Sequence, residues 1–260
     1  MKRPNVLILS GLDPSGGAGL QADIQAVTAM GGHPLPLLGC LTVQDTHNVH
    51  NAAPVDADLI RQQLQALAGD IPIHAVKTGA LGNEAVVSVL ADFLEQHGPL
   101  PLVVDPVIKA AGGGDLADAA LLDAIRTRLF ERATVITPNG VELASLGGRD
   151  DPAEAARTLT DQGCRAVLAT GGHGRGPEVV NQLFYQDGTS QHWRLPRHGG
   201  EYHGSGCTLA AAIASGLAEG HDLETAIDHA QQYVRRTIEH AMNVGGGQPV
   251  PDRHQPGDHA

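Results

Sequence analysis

Short apolar runs alternate with amphipathic stretches along this chain. Val6–Ser10, Leu35–Val43, Ile73–Lys77, Leu102–Asp105, Thr134–Thr137 and Ala166–Thr170 read as strands. Between them the apolar positions take the helical period. Ile60, Leu64 and Leu67 stand at i, i+4 and i+7, and Val86, Val87, Leu90, Phe93 and Leu94 share a face. Runs as apolar as Leu102-Val-Val suit strands covered on both sides. The pattern therefore predicts an α/β fold, a three-layer α/β/α sandwich with a mainly parallel central sheet. Val179–Gln186 and Gln191–Leu195, flanking Asp187-Gly188-Thr189, predict a hairpin at the sheet's edge. Thr208–Leu217 is almost wholly Ala, Leu and Ile and predicts a buried helix. Ala226, Ile227, Ala230, Tyr233, Val234 and Ile238 predict the last one. No interior stretch reads as a linker, so residues 1–244 are expected to form one domain. Residues 245–260, polar and rich in Gly, Pro and His, are expected to be a mobile tail.

Composition narrows the function. The chain has 260 residues, 42% hydrophobic, and its 33 glycines follow no collagen-like period, so turns, close packing or anion-binding loops must account for them. A net charge of -12, with three Tyr, three Phe and one Trp, argues against nucleic acid as a partner. No apolar run approaches the roughly 18 residues of a membrane span. The apolar run near Met1 is too short for a secretory signal, and Cys40, Cys164 and Cys207 show neither disulfide nor metal-site spacing. A cytoplasmic location follows as the default. The global charge repels an anionic ligand, so such a ligand must be held by local backbone dipoles and a few cations.

Five loops fall where such dipoles would be useful. In α/β sheets, ligands bind beyond the carboxyl ends of the strands, and Gly11-Leu-Asp-Pro-Ser-Gly-Gly-Ala-Gly19 links the first strand to a helix there. Gly204, Ser205 and Gly206 precede the buried helix, where several N–H groups can converge on an anion. Cys207 lies in that helix's first turn, where the dipole favours a thiolate. Asn139 and Glu142, three apart, suit a water-mediated Mg²⁺ site, with Asp105 as a second carboxylate; an N-capping Asn with an acidic first turn is the alternative. Thr170-Gly171-Gly-His173 could cradle a nucleotide phosphate. Lys109 with Gly112-Gly-Gly114 could close over one.

Taken in order, Asp13-Pro-Ser-Gly-Gly-Ala-Gly-Leu-Gln-Ala-Asp23, Leu41-Thr-Val-Gln-Asp-Thr46, Val104-Asp-Pro-Val107, Thr137-Pro-Asn139 with Glu142, Gly171-Gly-His173 and His203-Gly-Ser-Gly-Cys-Thr-Leu-Ala210 resemble the hydroxymethylpyrimidine/phosphomethylpyrimidine kinases of thiamine biosynthesis, in the ribokinase-like superfamily. The resemblance runs from about Val6 to Asn243. It implies two successive ATP-dependent phosphoryl transfers, with Mg²⁺ and in a homodimer, and leaves a monovalent cation open. It implies that Gln44 bonds the aminopyrimidine edge and that Gly11, Ala18, Asp23 and Val107 line the pyrimidine pocket. It also places Cys207 where many superfamily members carry a general base, beside the Gly204–Cys207 amides. Asn139, Thr170, Gly171 and Lys109 would meet ATP, and Asp105 and Glu142 the metal. The chain departs from the family in carrying Thr170 for a common Lys, Ala80 for a common Met, and an unusual Lys109 loop. A pyridoxal kinase of the same superfamily and a non-catalytic pyrimidine-binding module are the competing expectations. Gln44 weighs against the first, and the Asn139, Glu142 and Cys207 set against the second.

Overall fold

A computed structural model describes residues 3–108, 116–172, 174 and 176–255. Strand β1 (Asn5–Leu12) sets the plan: Leu7 and Leu9 face one core while Val6 and Ile8 face another. That alternation of wholly buried residues is what a strand sandwiched between helix layers requires. Helix α1 (Gly19–Ala29) leads to β2 (His33–Gln44), which pairs parallel to β1 and turns back into the antiparallel β3 (Val49–Pro54). After α2 (Ala57–Asp70), β4 (Ala75–Thr78) takes the other side of β1, also parallel. Parallel pairing then continues through α3 (Glu84–His97), β5 (Leu102–Val104), α4 (Ala119–Arg128), β6 (Val135–Ile136), α5 (Gly140–Gly147), α6 (Pro152–Asp161) and β7 (Ala166–Ala169). Antiparallel β8 (Glu178–Tyr185) and β9 (Ser190–Pro196) close that edge before α7 (Ser205–Glu219) and α8 (Leu223–Glu239). The sheet order is β3-β2-β1-β4-β5-β6-β7-β8-β9.

Helices α2 to α6 pack on the Leu7/Leu9 face, and α1, α7 and α8 on the Val6/Ile8 face. The expected sandwich and edge hairpin are both present. Because the chain leaves β1 toward β2 on one side and β4 on the other, a crevice opens beyond the carboxyl ends of these strands.

Two expectations differ from the structure. Val49–Pro54 gives no apolar alternation because its residues are largely exposed on the sheet's edge, so β3 was not legible. The chain beyond residue 244 is held in place through residue 255. Met242 and Val250 exchange backbone hydrogen bonds, the Gly247 amide donates to Thr46 Oγ1, and Asp252 N donates to Thr237 O. Arg253 is only 2% exposed. A polar sequence can be fixed through its backbone, a signal that composition does not carry.

Candidate active site

Helix starts mark the site. Among the described residues, six of the eight α-helices begin with an Asp or Asn whose side chain accepts first-turn amides: Asp56, Asn83, Asp118, Asn139, Asp151 and Asp222. These caps satisfy donors that the helix itself leaves unpaired. Helices α1 and α7 have no such cap. Both N-termini line one cavity of about 630 Å³, through Ala18 and Gly19 on one side and Gly204, Ser205, Gly206 and Cys207 on the other. Two uncapped helix dipoles aimed at one space favour negative charge there, in a cavity whose wall also carries Arg197 and Arg235.

The loop between β1 and α1 is shaped by Asp13. Its carboxylate accepts hydrogen bonds from Ser15 N and Ala18 N, both at 2.8 Å. His203 Nε2 lies 2.8 Å from the same carboxylate, tying this loop to the segment before α7. Burial works against the charge on Asp13, but the His203 and Ser15 hydrogen bonds outweigh it and hold the carboxyl below its usual range. His203 Nε2 also stands 3.0 Å from Gln44 Nε2. With its proton directed at Asp13, that nitrogen cannot accept from Gln44, which keeps amide hydrogen-bonding capacity for a ligand.

Beneath the anion site lies a cluster of buried charge. Lys77 Nζ, fully buried, donates to both oxygens of fully buried Asp23 at 2.8 Å and stands 3.8 Å from Asp105 Oδ2. Burial pushes the Asp105 carboxyl up to about 6 against the pull of Lys77, with Asp23 adding to the rise. Glu142 is pushed up to about 8 by burial and then by Asp105. The Cys207 thiol is pushed up to about 12: burial leads, Lys77 opposes, and Asp105 and Asp23 reinforce it. This corrects the expectation that the helix dipole alone would favour the thiolate. Burial by protein, reinforced by two nearby carboxylates, outweighs one helix end.

The other expected residues are placed as follows. Gly11, Ala18, Gln44, Asp105, Val107, Asn139, Glu142, Thr170, Gly204, Ser205, Gly206 and Cys207 all line the cavity. Asp23 does not: it lies under the wall, consumed by Lys77, and no ligand reaches it without breaking that pair. Gly171 is also off the wall. Its amide donates to Asn181 Oδ1 at 2.9 Å, so it is not free for a phosphate. Asn139 and Glu142 form a reciprocal capping box, in which Glu142 Oε2 accepts from Asn139 N at 2.9 Å. Lys109, Gly112–Gly114 and His173 lie outside the described residues.

Four contributors were missed as individual residues. Lys77 could have been noticed as a charge inside the apolar run Ala75-Val-Lys-Thr, and Asp13 and His203 as the polar members of the loop motifs. Arg253 gave no signal at all.

The raised carboxyls have a measurable consequence. Glu142 in the folded chain keeps its proton to about pH 8, whereas an unfolded Glu loses it near 4.5. Folding therefore takes up a proton in this window, and stability contributed by neutral Glu142 is full below about pH 4.5 and is lost as pH rises toward 8. Tm should fall from pH 5 to pH 8, and Glu142→Gln, which cannot ionise, should flatten that slope in thermal melts. Parallel slopes for the two proteins would contradict this.

Comparison with known proteins agrees with this geometry. The family model described as "Phosphomethylpyrimidine kinase" matches residues 13–251. The hydroxymethylpyrimidine/phosphomethylpyrimidine kinase of Streptomyces coelicolor is 38% identical, over 94% of this chain and 92% of that protein. A thiamine biosynthesis bifunctional protein of Geobacter sulfurreducens is also 38% identical over 94% of this chain, which spans 51% of that longer protein. Among solved structures, Bacillus subtilis pyridoxal kinase in its ADP complex superposes with a TM-score of 0.88 at 28% identity, covering 97% of this chain and 98% of that one.

Proposed function

The chain belongs to the phosphomethylpyrimidine kinase family, and from that footing we propose that it moves two phosphoryl groups in turn from ATP. The first goes to the hydroxymethyl oxygen of 4-amino-5-hydroxymethyl-2-methylpyrimidine, and the second to the phosphate of the resulting ester, giving the diphosphate used in thiamine biosynthesis. The observation that carries the reading is the convergence of the uncapped α1 and α7 N-termini on one cavity that also holds Gln44 and Cys207.

In each transfer the bond from the γ-phosphorus to the ADP oxygen breaks and one to the acceptor oxygen forms. Such a loose transition state asks the protein mainly for alignment and for compensation of charge on the phosphoryl oxygens. The Gly204–Cys207 segment supplies the amides, and Gln44 supplies a side-chain amide for the pyrimidine edge. Asn139 and Thr170 share the cavity lining with the aliphatic side chains of Val179, Leu195, Val234 and Ile238, a mix that suits a nucleotide.

A divalent cation fits the remaining wall. Among the described residues Asp105 Oδ2 is buried without a hydrogen-bond partner, and Asp105 raises the pKa of a second acidic group, Glu142. These two groups would hold Mg²⁺ through water, and the ion would shield the phosphate charges of ATP. Burial first, and then Asp105 and Asp23, hold Cys207 as a thiol, while Lys77 opposes them. The α7 dipole and Lys77 would stabilise negative charge on the Cys207 sulfur as it accepts the hydroxyl proton in the first transfer. The second transfer has no such proton to lose, because its nucleophile is a phosphate oxygen. A homodimer is supported by Leu41 and Val43, 48% and 59% exposed on β2 beside the sheet edge, a patch that a second copy would cover. No described helix is long and apolar enough to cross a membrane.

Mass spectrometry of the pyrimidine incubated with Mg-ATP tests the order: the monophosphate should appear first and the diphosphate from it. Cys207→Ala should slow the first transfer by about 10²-fold or more and the second by much less. Equal losses in both steps would reduce Cys207 to part of the anion-site scaffold. A pyridoxal kinase is the second reading, favoured by the structural likeness above and by the small Ala80 in the pocket wall.

A further inference from the structure

We infer that Arg253 is a positioning residue for phosphoryl transfer, locking the two halves of the anion site together from behind. The inference rests on the kinase reading above. Arg253 reaches the site from a segment that is far away in sequence. Backbone bonds fix its approach: His203 N donates to Pro249 O, Asp252 N to Thr237 O, and Tyr233 OH to Arg253 O, each at 2.9 Å. The side chain then runs inward. Its Nη2 donates to Gly17 O and, at 3.4 Å each, to His203 O and Gly204 O. Its Nε donates to Thr208 Oγ1 at 2.7 Å, and Nη1 to Gln25 Oε1 at 3.5 Å.

One planar fork therefore holds carbonyls from the loop before α1 and from the start of α7. A trans peptide is rigid, so each carbonyl points opposite to the N–H that follows it. Fixing the His203 carbonyl thus fixes the direction of the Gly204 amide at the cavity wall, while fixing the Gly17 and Gly204 carbonyls holds the Ala18 amide on Asp13 and the Ser205 amide on the Tyr202 carbonyl, which sets the shape of both helix starts. The charge matters too. All five acceptors are neutral, and among the described residues no carboxylate pairs with the guanidinium. Asp23 and Asp13 act on this buried cation through space without pairing with it, and an anion bound at the two helix starts would add negative charge in front of it. Arg253 thereby gives this acidic chain a cation at the site without exposing one in the cavity.

Lysine keeps the charge but cannot serve carbonyls on both segments and the Thr208 hydroxyl together. Arg253→Lys should therefore melt close to the wild-type temperature, yet lose about 10- to 100-fold in kcat, with KM for ATP and pyrimidine within about threefold. Arg253→Ala should lose more, and millimolar guanidinium should restore part of its turnover where NaCl at equal ionic strength does not. His254→Ala, on an exposed neighbour, serves as the control and should match wild type. Calorimetric titration with pyrophosphate reads the anion site without turnover, and Arg253→Lys should weaken its binding by about tenfold. Wild-type kcat and pyrophosphate affinity in Arg253→Lys would overturn the inference, as would losses in Arg253→Ala that merely follow the unfolded fraction. Absence of turnover in the wild type would instead count against the kinase reading, and the pyrophosphate titration would still decide the role of Arg253.

Discussion

Gly204→Ala is expected to abolish most turnover, by about 10²-fold or more in kcat/KM, while the chain still folds. Gly204 caps α7 in the left-handed region, with φ of 78°. An L-residue there costs about 1–2 kcal/mol, too little to unfold a domain of this size. The functional cost comes from space. An added Cβ would collide with the Gly17 carbonyl oxygen, and would stand 2.7 Å from Arg253 Nη2 and 2.8 Å from Ala18 Cα. All three belong to the apposition of the two uncapped helix starts, so the methyl group must push them apart. Gly220→Ala separates strain from position. Gly220 closes the other end of α7 with φ of 93°, and its Cβ would meet nothing within 4 Å. Steady-state kinetics and thermal melts on both variants should show the backbone strain alone at Gly220, a larger loss of stability at Gly204, and a large kinetic defect only at Gly204. Equal activities would show that the two helix ends need not be held this closely.

Lys77→Met should produce the largest loss of stability of any single change considered. Lys77 and Asp23 are both fully buried and joined by two 2.8 Å hydrogen bonds across β4 and α1. Removing the ammonium leaves Asp23 with the full desolvation cost of its charge, or forces it to hold a proton. Breaking such a pair from one side costs about 3–5 kcal/mol. At about 2–4 °C per kcal/mol for chains of this order, Tm should drop by roughly 6–20 °C. Asp23→Asn in the Lys77→Met background should cost much less than in the wild type, because the charge it removes no longer has a partner. Denaturant melts of the four proteins measure that coupling. Additive losses would mean that the pair contributes nothing beyond packing.

The layers of the fold were legible because burial on both faces of a strand leaves a simple trace. Runs such as Val6-Leu-Ile-Leu9 have no polar residue to place, and β1 divides them evenly between the two cores. The anion site was legible for a related reason: glycine before a helix of small residues has few other uses. The electrostatics were less visible. That Cys207 sits at a helix N-terminus follows from sequence, but the depth of its burial does not, and burial, reinforced by Asp105 and Asp23 from other elements, reverses the expected shift. Gly171 shows the same gap, since its amide is taken by Asn181 from β8. Asp23 was misplaced because a motif gives order along the chain, not depth. The chain has 19 Asp against 10 Glu, and part of that excess has a local reason. Asp56, Asp118, Asp151 and Asp222 cap helices, a task for which the shorter carboxylate is suited.

The central claim is that this cavity accepts the aminopyrimidine and its monophosphate for transfer from ATP. Initial rates of ADP formation with Mg-ATP should be compared for three acceptors: the hydroxymethylpyrimidine, its monophosphate and pyridoxal. The account predicts turnover of both pyrimidines, each with kcat/KM at least about tenfold above that of pyridoxal, because Gln44 offers hydrogen bonds that the pyridoxal ring does not match. Pyridoxal as the best acceptor, or no turnover of either pyrimidine, would contradict it.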